Sequence, residues 1–421
     1  MSARATLEGW VSNVKPVGGI VFIEVINSLD LKATTVVVKR SENEELWLMS
    51  KELKLGSPVR IRGRIPVKIV SKLGREVHAE EIEVLGEPID VMPIDPSGKT
   101  KALLDTILSY RYVALRLPSQ RAIFRVRAKM VSVIRRFFEE NEFLEVHTPK
   151  ICGAGAEGGA TLFTLDYFGR QAFLAQSPQL YKQMLMAGVP RVYEITPYFR
   201  AEKFSTTRHL NESWGADAEI GFIRGPEDVM RVLENLVVYV IECLRQEAKE
   251  ELRILGVDLK VPRKPFKRLS YEEAIEIAKS QGIDISYGED LGTEAEAKIG
   301  EAMAEEGYDA YFITLYPWEI KPFYIMRAEG GLSFSFDLDY KGLELASGGQ
   351  REHRYEELIK NIKDKGLNPK SFVFYTEAFK YGMPPHGGFG LGIDRLLMKV
   401  LGMGNIREVV LFPRDRQRLV P

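Results

Sequence analysis

Residues 198–222, YFRAEKFSTTRHLNESWGADAEIGF, constrain the fold of this chain strongly, because two apolar runs that carry charged residues flank one polar loop. Arg200 and Glu202 are two residues apart, so on a strand their side chains share one face. Asp217 and Glu219 repeat that spacing on the second run. Charged groups on a packed sheet face cost free energy unless they have partners. The pattern predicts a β-hairpin that presents these groups to a ligand; the alternative is a solvated face whose surface ion pairs contribute little stability.

An arginine and a glutamate fixed on one strand face suit a nucleotide. Arg200 can donate two parallel hydrogen bonds to a phosphate, and Glu202 can accept a hydrogen bond from the edge of a base. The polar loop tip at residues 205–209 would then lie where the nucleotide arrives. We therefore interpret the hairpin as one wall of a nucleotide site.

The composition excludes several classes of protein. The chain has 421 residues, with 45% hydrophobic and 28% charged residues and a formal net charge of −1, as is usual for a soluble globular protein of two or three domains. Its two cysteines, Cys152 and Cys243, are far apart, which excludes a disulfide framework and a Cys/His metal site. The sequence shows no signal-peptide core and no apolar run of membrane length. We expect a cytoplasmic protein with no membrane partner.

Residues 1–88 are rich in short β-branched runs that glycine and proline punctuate. About five strands in this length predict a small closed barrel, most often an OB-fold, with an SH3-like barrel as the alternative. Alternation places Arg60, Arg62 and Arg64 on one strand face, which is a candidate basic surface for nucleic acid.

Residues 89–120 form a linker or hinge, and residues 121–421 alternate strands and helices. Apolar residues at helical spacing from Ile123 to Phe138 predict an amphipathic helix, and the region of about 225–310 is a helix-rich insertion. Short loops between the strands favour antiparallel pairing. The predicted fold class is therefore α+β: an antiparallel sheet with flanking helices, together with the N-terminal all-β barrel.

Two acids and a hydroxyl lie close together in residues 336–355. Asp337 and Glu344 precede a turn that contains Ser347, and oxygen ligands of this kind suit Mg²⁺ that bridges phosphates. For the glycines of this turn alone, a purely structural turn is the stronger interpretation.

A glycine-rich turn and a short helix add two further candidate sites. In residues 386–402 the glycines lead into a helix with Arg395 in its first turns, a position that favours a triphosphate, whereas the alternative is pairing with Asp394 or another acid. This turn lacks the lysine of a P-loop. Gln179 and Lys182 are three residues apart and share a helix face, although a surface lysine is the plainest alternative.

The order of these motifs resembles the three signature motifs of class II aminoacyl-tRNA synthetases. The amphipathic helix that leads to a strand ending at Pro149 resembles the first motif, FRAE…RHLNE the second and GLGIDRL the third. QSPQLYKQ, SGGQREHR and EAFKYGMPPHGGFGLG are similar to the archaeal/eukaryotic type of aspartyl-tRNA synthetase. The resemblance covers roughly residues 120–421, and the barrel matches the anticodon-binding OB-fold of that family in place and size.

The resemblance implies an ATP site and a magnesium site. Glu344 and Ser347 would organise Mg²⁺, and Arg395 would hold the γ-phosphate. The implied ATP-binding residues are Arg200, Glu202, Arg208, His209, Leu210, Glu344, Gly392, Ile393, Asp394 and Arg395. The family places an aromatic residue directly after Glu212, where this chain has Ser213, so the ring that stacks on adenine is either Trp214 or His209.

The resemblance also implies a site for L-aspartate. Glu157 would bind the ammonium group with help from Gln179 and Asp217, and Lys182 and Arg351 would bind the β-carboxylate. Two cations favour a carboxylate and leave an amide unmatched, which selects aspartate over asparagine. The implied catalytic and aspartate-binding set is Glu157, Gln179, Lys182, Arg200, Asp217, Ser347 and Arg351.

For the barrel, the resemblance implies anticodon contacts by Phe22, Lys72 and Glu76. The glutamine expected about eleven residues after Phe22 is absent, since Ala33 and Thr34 occupy that region. Family members restricted to tRNA(Asp) have a tryptophan where this chain has Ser12, whereas Lys72 matches them. The expected partners are therefore tRNA(Asp) alone or both tRNA(Asp) and tRNA(Asn).

The expected reaction is that of an aspartate–tRNA ligase, which joins aspartate to ATP as an adenylate and transfers it to the 3′ end of tRNA. Two alternatives are an amidoligase that makes asparagine from the same adenylate and a non-catalytic tRNA-binding paralogue. The barrel disfavours the amidoligase, because such paralogues usually lack it. The resemblance also implies a symmetric homodimer paired through the first motif.

Overall fold

The computed structural model of the chain describes residues 3–30, 32–153, 162–203 and 206–421. These residues divide into two compact units. The first comprises residues 1–126, 250–256 and 421, and the second comprises residues 127–249 and 257–420. The proposed domain boundaries at residues 88 and 120 remain predictions about which parts fold independently.

The first unit contains a closed barrel with the strand order β1-β2-β3-β5-β4. Its elements are β1 (Arg4–Val17), β2 (Ile20–Asn27), β3 (Ala33–Lys39), α1 (Glu44–Lys51), β4 (Pro58–Arg64) and β5 (Glu76–Val84). Strands β3 and β5 pair in parallel, and the other pairs are antiparallel. The predicted OB-like barrel is confirmed. Sequence analysis did not predict α1. Asn43 caps its N-terminus, since the Asn43 side chain accepts a hydrogen bond from the Leu46 backbone N–H at 2.9 Å.

Three helices follow the barrel along the chain: α2 (Leu104–Ser109), α3 (Arg111–Ala114) and α4 (Pro118–Glu140). Helix α4 is the predicted amphipathic helix, and Ile123, Val126, Met130 and Phe138 are buried at helical spacing.

The second unit is built on an eight-stranded sheet with the order β12-β13-β14-β15-β16-β11-β10-β6. The remaining strands of the described residues are β6 (Leu144–Glu145), β7 (Ile151–Cys152), β8 (Thr164–Tyr167), β9 (Arg170–Leu174), β10 (Arg191–Phe199), β11 (Glu212–Gly221), β12 (Lys267–Ser270), β13 (Ala310–Thr314), β14 (Ser335–Tyr340), β15 (Glu344–Gln350) and β16 (His386–Gly392). The pairs β6–β10 and β12–β13 are parallel, the other pairs of this sheet are antiparallel, and β7, β9 and β8 form a small antiparallel sheet.

Helices flank this sheet, so the predicted α+β class is confirmed. The α-helices of the second unit after α4 are α5 (Gln179–Leu185), α6 (Pro226–Glu247), α8 (Tyr271–Ser280), α9 (Thr293–Glu305), α10 (Tyr355–Asp364), α11 (Val373–Thr376) and α12 (Ile393–Val400). Helix α7 (Lys249–Leu255) belongs to the first unit except for Lys249. Helix α6 packs against β14, β15 and β16, and α8 and α9 form a separate apolar cluster with β13. Among the described residues, no helix is both long and apolar enough to cross a membrane.

The strand register places four polar or small residues in one row across the sheet. Asp217 on β11 pairs with Gly390 on β16, Gly390 pairs with Ser347 on β15, and Ser347 pairs with Asp337 on β14. Directly paired residues point to the same face of a sheet. The topology thus brings residues from distant parts of the sequence to one side of the central strands.

Candidate active site

That face of the sheet forms the floor of a cavity of about 350 Å³ in the second unit. Thirteen of the residues predicted to bind ATP, aspartate or Mg²⁺ line it. They are Gln179, Arg200, Glu202, Arg208, His209, Leu210, Asp217, Glu344, Ser347, Arg351, Gly392, Asp394 and Arg395. Lys182 and Ile393 are not among the lining residues, and Glu157 lies outside the residues that the structure describes.

The hairpin of β10 and β11 carries Arg200 and Glu202 just beyond the end of its first strand. Strand β10 ends at Phe199, one residue before Arg200, but the Arg200 backbone N–H still donates to the Asn211 carbonyl at 2.9 Å. The Asn211 side-chain amide donates to the carbonyls of Arg200 and Glu202 at 2.7 and 3.1 Å. These bonds keep the chain extended past the strand end, so both side chains reach the same cavity.

Burial sets the chemistry of the hairpin's carboxylate. Glu202 is half-buried, and desolvation raises its pKa, while the positive charges of Arg200 and Arg395 act in the opposite direction. A carboxylate whose neighbours are two arginines in a shielded site is suited to accept a hydrogen bond from a neutral N–H donor.

The loop residues Arg208 and His209 are held by other side chains. Arg208 donates two hydrogen bonds to Glu296 of α9, at 2.6 and 3.2 Å. His209 Nδ1 lies 2.6 Å from Thr206 Oγ1, and burial, together with the charges of nearby arginines, lowers the pKa of His209 to about 4. His209 is therefore a neutral ring at physiological pH.

Glu296 is a site residue that sequence analysis missed. It is 5% exposed and also accepts a hydrogen bond from the Glu344 backbone N–H at 3.2 Å. Desolvation and the neighbouring charge of Glu344 raise its pKa, which the contact with Arg208 counteracts. In the sequence it is an ordinary acid of an amphipathic helix, and its burial is the signal that would have revealed it.

The deep end of the cavity contains buried ion pairs. Arg351 donates from Nε to Glu219 Oε1 at 3.0 Å and from Nη2 to Gln179 Oε1 at 3.3 Å. Burial would raise the pKa of Glu219, but Arg351 and Lys182 hold it below its usual value. A Cβ atom at Gly388 would lie 2.1 Å from Glu219 Oε2, so a glycine is required opposite this carboxylate.

Lys182 is not among the residues that line the cavity, and its predicted contact with the β-carboxylate of aspartate stays a prediction. Its Nζ lies 2.8 Å from Asp217 Oδ2 and 3.0 Å from the Phe389 carbonyl, and 3.4 Å from Glu219 Oε2. A buried ammonium group needs several acceptors, and the carboxylates of β11 supply them. Lys182 is 2% exposed and lies behind Asp217, which itself lines the cavity.

Tyr198 is a second residue that sequence analysis did not identify as part of the site. It precedes Arg200 by two residues, shares the cavity face and donates a hydrogen bond to Asp217 Oδ1. The two-residue period, applied one step further, would have found it.

Three oxygen-bearing side chains at the cavity floor fit a divalent cation. Asp337 lies opposite Ser347 in the strand register, Glu344 is three residues before Ser347, and all three line the cavity. Asp337 Oδ2 accepts from Lys321 Nζ at 2.8 Å, whereas its buried Oδ1 has no hydrogen-bond partner among the described residues. Among those residues, no group of three or more His, Cys, Asp or Glu side chains is placed to hold a metal. Carboxylate and hydroxyl oxygens are nevertheless ligands of the kind that Mg²⁺ accepts.

The residues at the start of α12 are held by other parts of the site. Asp394 is fully buried and accepts from the Trp214 backbone N–H at 2.8 Å and from Arg127, so its carboxylate anchors the hairpin, and its predicted role in ATP binding stays a prediction. Ile393 is also fully buried. Arg395 donates to the Glu344 carbonyl at 2.9 Å and lies 3.6 Å from the Glu344 carboxylate, so the structural alternative, pairing with another acid, holds for Glu344.

Trp214 and His209 both line the cavity, so both remain candidates to stack on a base. Trp214 is 39% exposed. Tyr324, which sequence analysis did not predict, also lines the cavity, and the guanidinium carbon of Arg351 is 5.4 Å from its ring centre.

The three barrel residues predicted to contact the anticodon differ in exposure. Phe22 is half-buried on β2, and Lys72 is exposed in the loop between β4 and β5. Glu76 is 7% exposed, and its Oε2 accepts from the backbone N–H groups of Val70 and Ser71 at 3.0 and 2.9 Å. Glu76 therefore helps to shape the loop that carries Lys72, and its contact with a base stays a prediction.

The candidate basic surface of the barrel is electrically neutralised. Arg60, Arg62 and Arg64 share the outer face of β4, but each pairs with glutamates of β1 or β5 at 2.5–3.0 Å. Ser12 is buried and donates to the Glu24 carbonyl at 3.0 Å.

Comparison with known proteins places this cavity in a family. Residues 104–416 match the model of the class II tRNA synthetases (D, K and N). The chain is 50% identical to an aspartate–tRNA(Asp) ligase of Pyrococcus furiosus, over 99% of this chain and 96% of the relative. It is 48% identical to an aspartate–tRNA(Asp/Asn) ligase of Methanopyrus kandleri, over 99% and 95% of the two chains.

Solved structures agree with this assignment. The crystal structure of an asparaginyl-tRNA synthetase from Pyrococcus horikoshii, complexed with asparaginyl-adenylate, superposes with a TM-score of 0.92 at 32% identity and covers 100% of this chain and 96% of that one. An aspartyl-tRNA synthetase from Entamoeba histolytica superposes with a TM-score of 0.88 at 30% identity, with 100% and 90% covered. The chain belongs to the class II tRNA synthetases of the aspartate, lysine and asparagine group.

Proposed function

We propose that the protein is an aspartate–tRNA ligase that activates L-aspartate with ATP and transfers it to tRNA(Asp). The observation that carries this proposal is one cavity lined by Arg200, Glu202 and Arg395, which would face the nucleotide, and by the buried Arg351, which would face the amino acid. Relatives named aspartate–tRNA ligases, with 45–50% identity over nearly the whole chain, support the same reaction.

The first step needs no nucleophile from the protein. An oxygen of the aspartate α-carboxylate attacks the α-phosphorus of ATP, the bond to the bridging oxygen of pyrophosphate breaks, and the mixed anhydride and pyrophosphate form. Arg200 would stabilise charge on the α-phosphate and Arg395 on the leaving phosphates. The protein contributes mainly orientation and fixed positive charge, which together lower the barrier without covalent participation.

Glu344 and Ser347 would hold Mg²⁺, with Asp337 supplying a further oxygen from the opposite strand. The cation, when bound, neutralises charge on the phosphates and orients them. The contact between Arg395 and the Glu344 carbonyl would keep the arginine beside the same phosphates.

The amino-acid preference would come from Arg351. Its guanidinium is 3% exposed, it lines the cavity, and its position is set by Glu219 and Gln179. A β-carboxylate would pair with this buried cation, whereas an amide would leave it without an added negative charge. Lys182 would act through Asp217, which it holds in place from behind.

In the second step the 3′-terminal hydroxyl of tRNA attacks the carbonyl carbon of the adenylate. An ester bond forms, and AMP leaves. Phe22 and the exposed Lys72 of the barrel would contact the anticodon. Relatives of both kinds, named for tRNA(Asp) and for tRNA(Asp/Asn), support tRNA(Asp) as a substrate of this chain.

We further propose that two copies form a symmetric dimer in the cytoplasm. Leu144 on the sheet-edge strand β6, directly after α4, is 53% exposed, and Ile151 on β7 is 50% exposed. A second copy that packs against this edge would cover both residues. Gel filtration at the mass of a single 47.7 kDa chain would contradict the dimer.

Aminoacylation with separate tRNA(Asp) and tRNA(Asn) transcripts tests the function. We expect aspartate to be attached to tRNA(Asp), and the tRNA(Asn) reaction decides whether the range includes the second transcript. Formation of free asparagine from aspartate and ammonia, or the absence of any adenylate, would contradict the proposal in favour of an amidoligase or a non-catalytic paralogue.

A further inference from the structure

A chain of buried polar side chains lies behind the deep end of the cavity. It runs from Arg351 through Gln179 and Gln183 to His386, whose exposures are 3%, 4%, 0% and 0%. Of these four residues, Arg351 and Gln179 line the cavity, and Gln183 and His386 are not among its lining residues. The proposed chemistry makes no use of Gln183 or His386, although burying four polar side chains is costly unless their hydrogen bonds are mutually consistent.

The donor and acceptor roles in this row of side chains are fixed at its His386 end. His386 Nδ1 lies 2.9 Å from the Pro384 carbonyl oxygen, which can only accept, so Nδ1 carries the proton. Burial lowers the pKa of His386 to about 4, so the ring is neutral at physiological pH and its Nε2 is an acceptor. Gln183 Nε2, at 3.1 Å from that atom, must therefore donate.

The same assignment of donors and acceptors extends through both glutamines to Arg351. Because the Gln183 amide nitrogen faces His386, its Oε1 faces Gln179 and accepts from Gln179 Nε2 at 2.8 Å. The Gln179 Oε1 atom is then left to face Arg351, and it accepts from Nη2 at 3.3 Å. If the Gln179 amide were reversed, its NH₂ group would face the Arg351 guanidinium. If the Gln183 amide were reversed, its NH₂ group would face that of Gln179, and in both cases two donors would oppose each other.

We infer that Gln183 and His386 are positioning residues that fix the amide orientation of Gln179 and thereby hold Arg351 where it receives the side-chain carboxylate of the amino-acid substrate. This inference rests on the proposed function, since it assigns Arg351 to the aspartate side chain. It makes affinity for aspartate depend on two residues that do not line the cavity.

Tyr375 provides a matched control within the same cluster. Its hydroxyl donates to the same Gln183 Oε1 atom at 3.2 Å, and it is as buried as Gln183. Removing this hydroxyl deletes a buried hydrogen bond but leaves the amide orientation of Gln183 unchanged, because the hydrogen bonds of Gln183 to His386 and Gln179 remain.

The test is aspartate-dependent ATP–pyrophosphate exchange by the full-length protein and its variants. Gln183→Met is expected to raise KM for aspartate at least tenfold while KM for ATP changes less than twofold. Tyr375→Phe is expected to leave both constants within twofold of the wild type. An unchanged KM for aspartate in Gln183→Met, or an equal rise in Tyr375→Phe, overturns the inference.

A second pair keeps the test decisive if Gln183→Met does not fold. His386→Phe cannot accept from Gln183 and should raise KM for aspartate to a similar degree, whereas His386→Gln offers an acceptor oxygen and should recover most of the affinity. Equal KM values for aspartate in the two His386 variants would contradict the positioning role of His386. If the wild-type protein shows no exchange with aspartate, the proposed function itself fails; if it is active and the variants behave alike, the inference alone fails.

Discussion

Two β-sheet faces of this molecule carry ion pairs between arginine and glutamate side chains. The pairs are exposed on one face and buried on the other. On the barrel, the arginines of β4 pair with glutamates of the neighbouring strands, and the side chains of Arg62 and Glu81 are 58% and 55% exposed. At the deep end of the cavity, Arg351 and Glu219 form an ion pair with side chains 3% and 0% exposed. Water screens the first ion pair and is excluded from the second. The exposed pair therefore contributes little stability, whereas breaking the buried pair leaves a buried charge without compensation.

The comparison indicates which charges can serve recognition. On the barrel face, each arginine of β4 is matched by carboxylates of the same sheet, so the local charge is balanced. In the cavity the positive and negative charges also nearly balance. There, however, the charged side chains are held rigidly and shielded from water, and a ligand carboxylate can replace one partner of an ion pair. Rigid buried charge can distinguish aspartate from asparagine, whereas the exposed ladder mainly adds solubility and modest stability.

Removing the buried cation should have the largest effect. In Arg351→Met, Glu219 keeps Lys182 but loses its closest partner, and we expect the free energy of unfolding to fall by about 3–5 kcal/mol. Urea titration followed by fluorescence measures this change, and ATP–pyrophosphate exchange should show loss of aspartate activation. A loss of stability below about 1 kcal/mol would place this pair in the same class as the surface pairs.

Protonation of a buried histidine should have the next largest effect. Burial lowers the pKa of His386 to about 4, whereas the unfolded chain titrates near 6.5, so the unfolded state binds the proton first as the pH falls. Stability from this residue is present above about pH 6.5 and is lost toward pH 4, on the order of 3 kcal/mol in total.

The charged or titratable groups that act on His386 are Glu219, Arg351 and His353, and the Pro384 carbonyl accepts from the ring. Urea titrations of the wild type and His386→Gln between pH 7 and pH 4 isolate its contribution, because the other groups titrate in both proteins. A difference between the two proteins that does not change with pH would contradict the neutral buried ring.

The contact between the helix-rich insertion and the nucleotide loop should have a smaller, selective effect. Glu296→Gln weakens the double contact with Arg208 and should raise KM for ATP by about five- to thirtyfold, equivalent to about 1–2 kcal/mol. KM for aspartate should remain within twofold, because Arg351 and Gln179 are untouched. Steady-state exchange with each substrate varied in turn separates these results, and an equal rise in both constants would refute a role confined to ATP.

The smallest effect is expected on the barrel. Arg62→Met removes one exposed pair with Glu81 and should lower the free energy of unfolding by about 0.2–1 kcal/mol, less at high salt. The urea titration used for Arg351→Met gives the direct comparison. A loss as large as that of the buried pair would show that exposure does not separate the two faces.

Local sequence patterns predicted the parts of the site that depend on a two-residue period. The spacing of Arg200 and Glu202 placed both at the cavity, and β-branched runs placed the barrel strands. The same patterns could not show that Lys182 lies behind Asp217, since that depends on how α5 packs against β11 and β16.

Contacts between distant elements account for the other misses. Glu296 reaches Arg208 across 88 residues, and His386 reaches Gln183 across 203. Neither pair leaves a periodic signal in the sequence, because each partner occupies an ordinary position on its own element. Glu76 likewise resembles an exposed strand acid until the loop that folds over it is seen.

Parallel ATP–pyrophosphate exchange with L-aspartate and with L-asparagine tests the central claim most directly. The proposed function predicts rapid exchange with aspartate and at least 100-fold lower kcat/KM with asparagine, equivalent to about 2.7 kcal/mol of discrimination at the deep end of the cavity. Exchange that depends on asparagine, or no exchange with either amino acid, would contradict it.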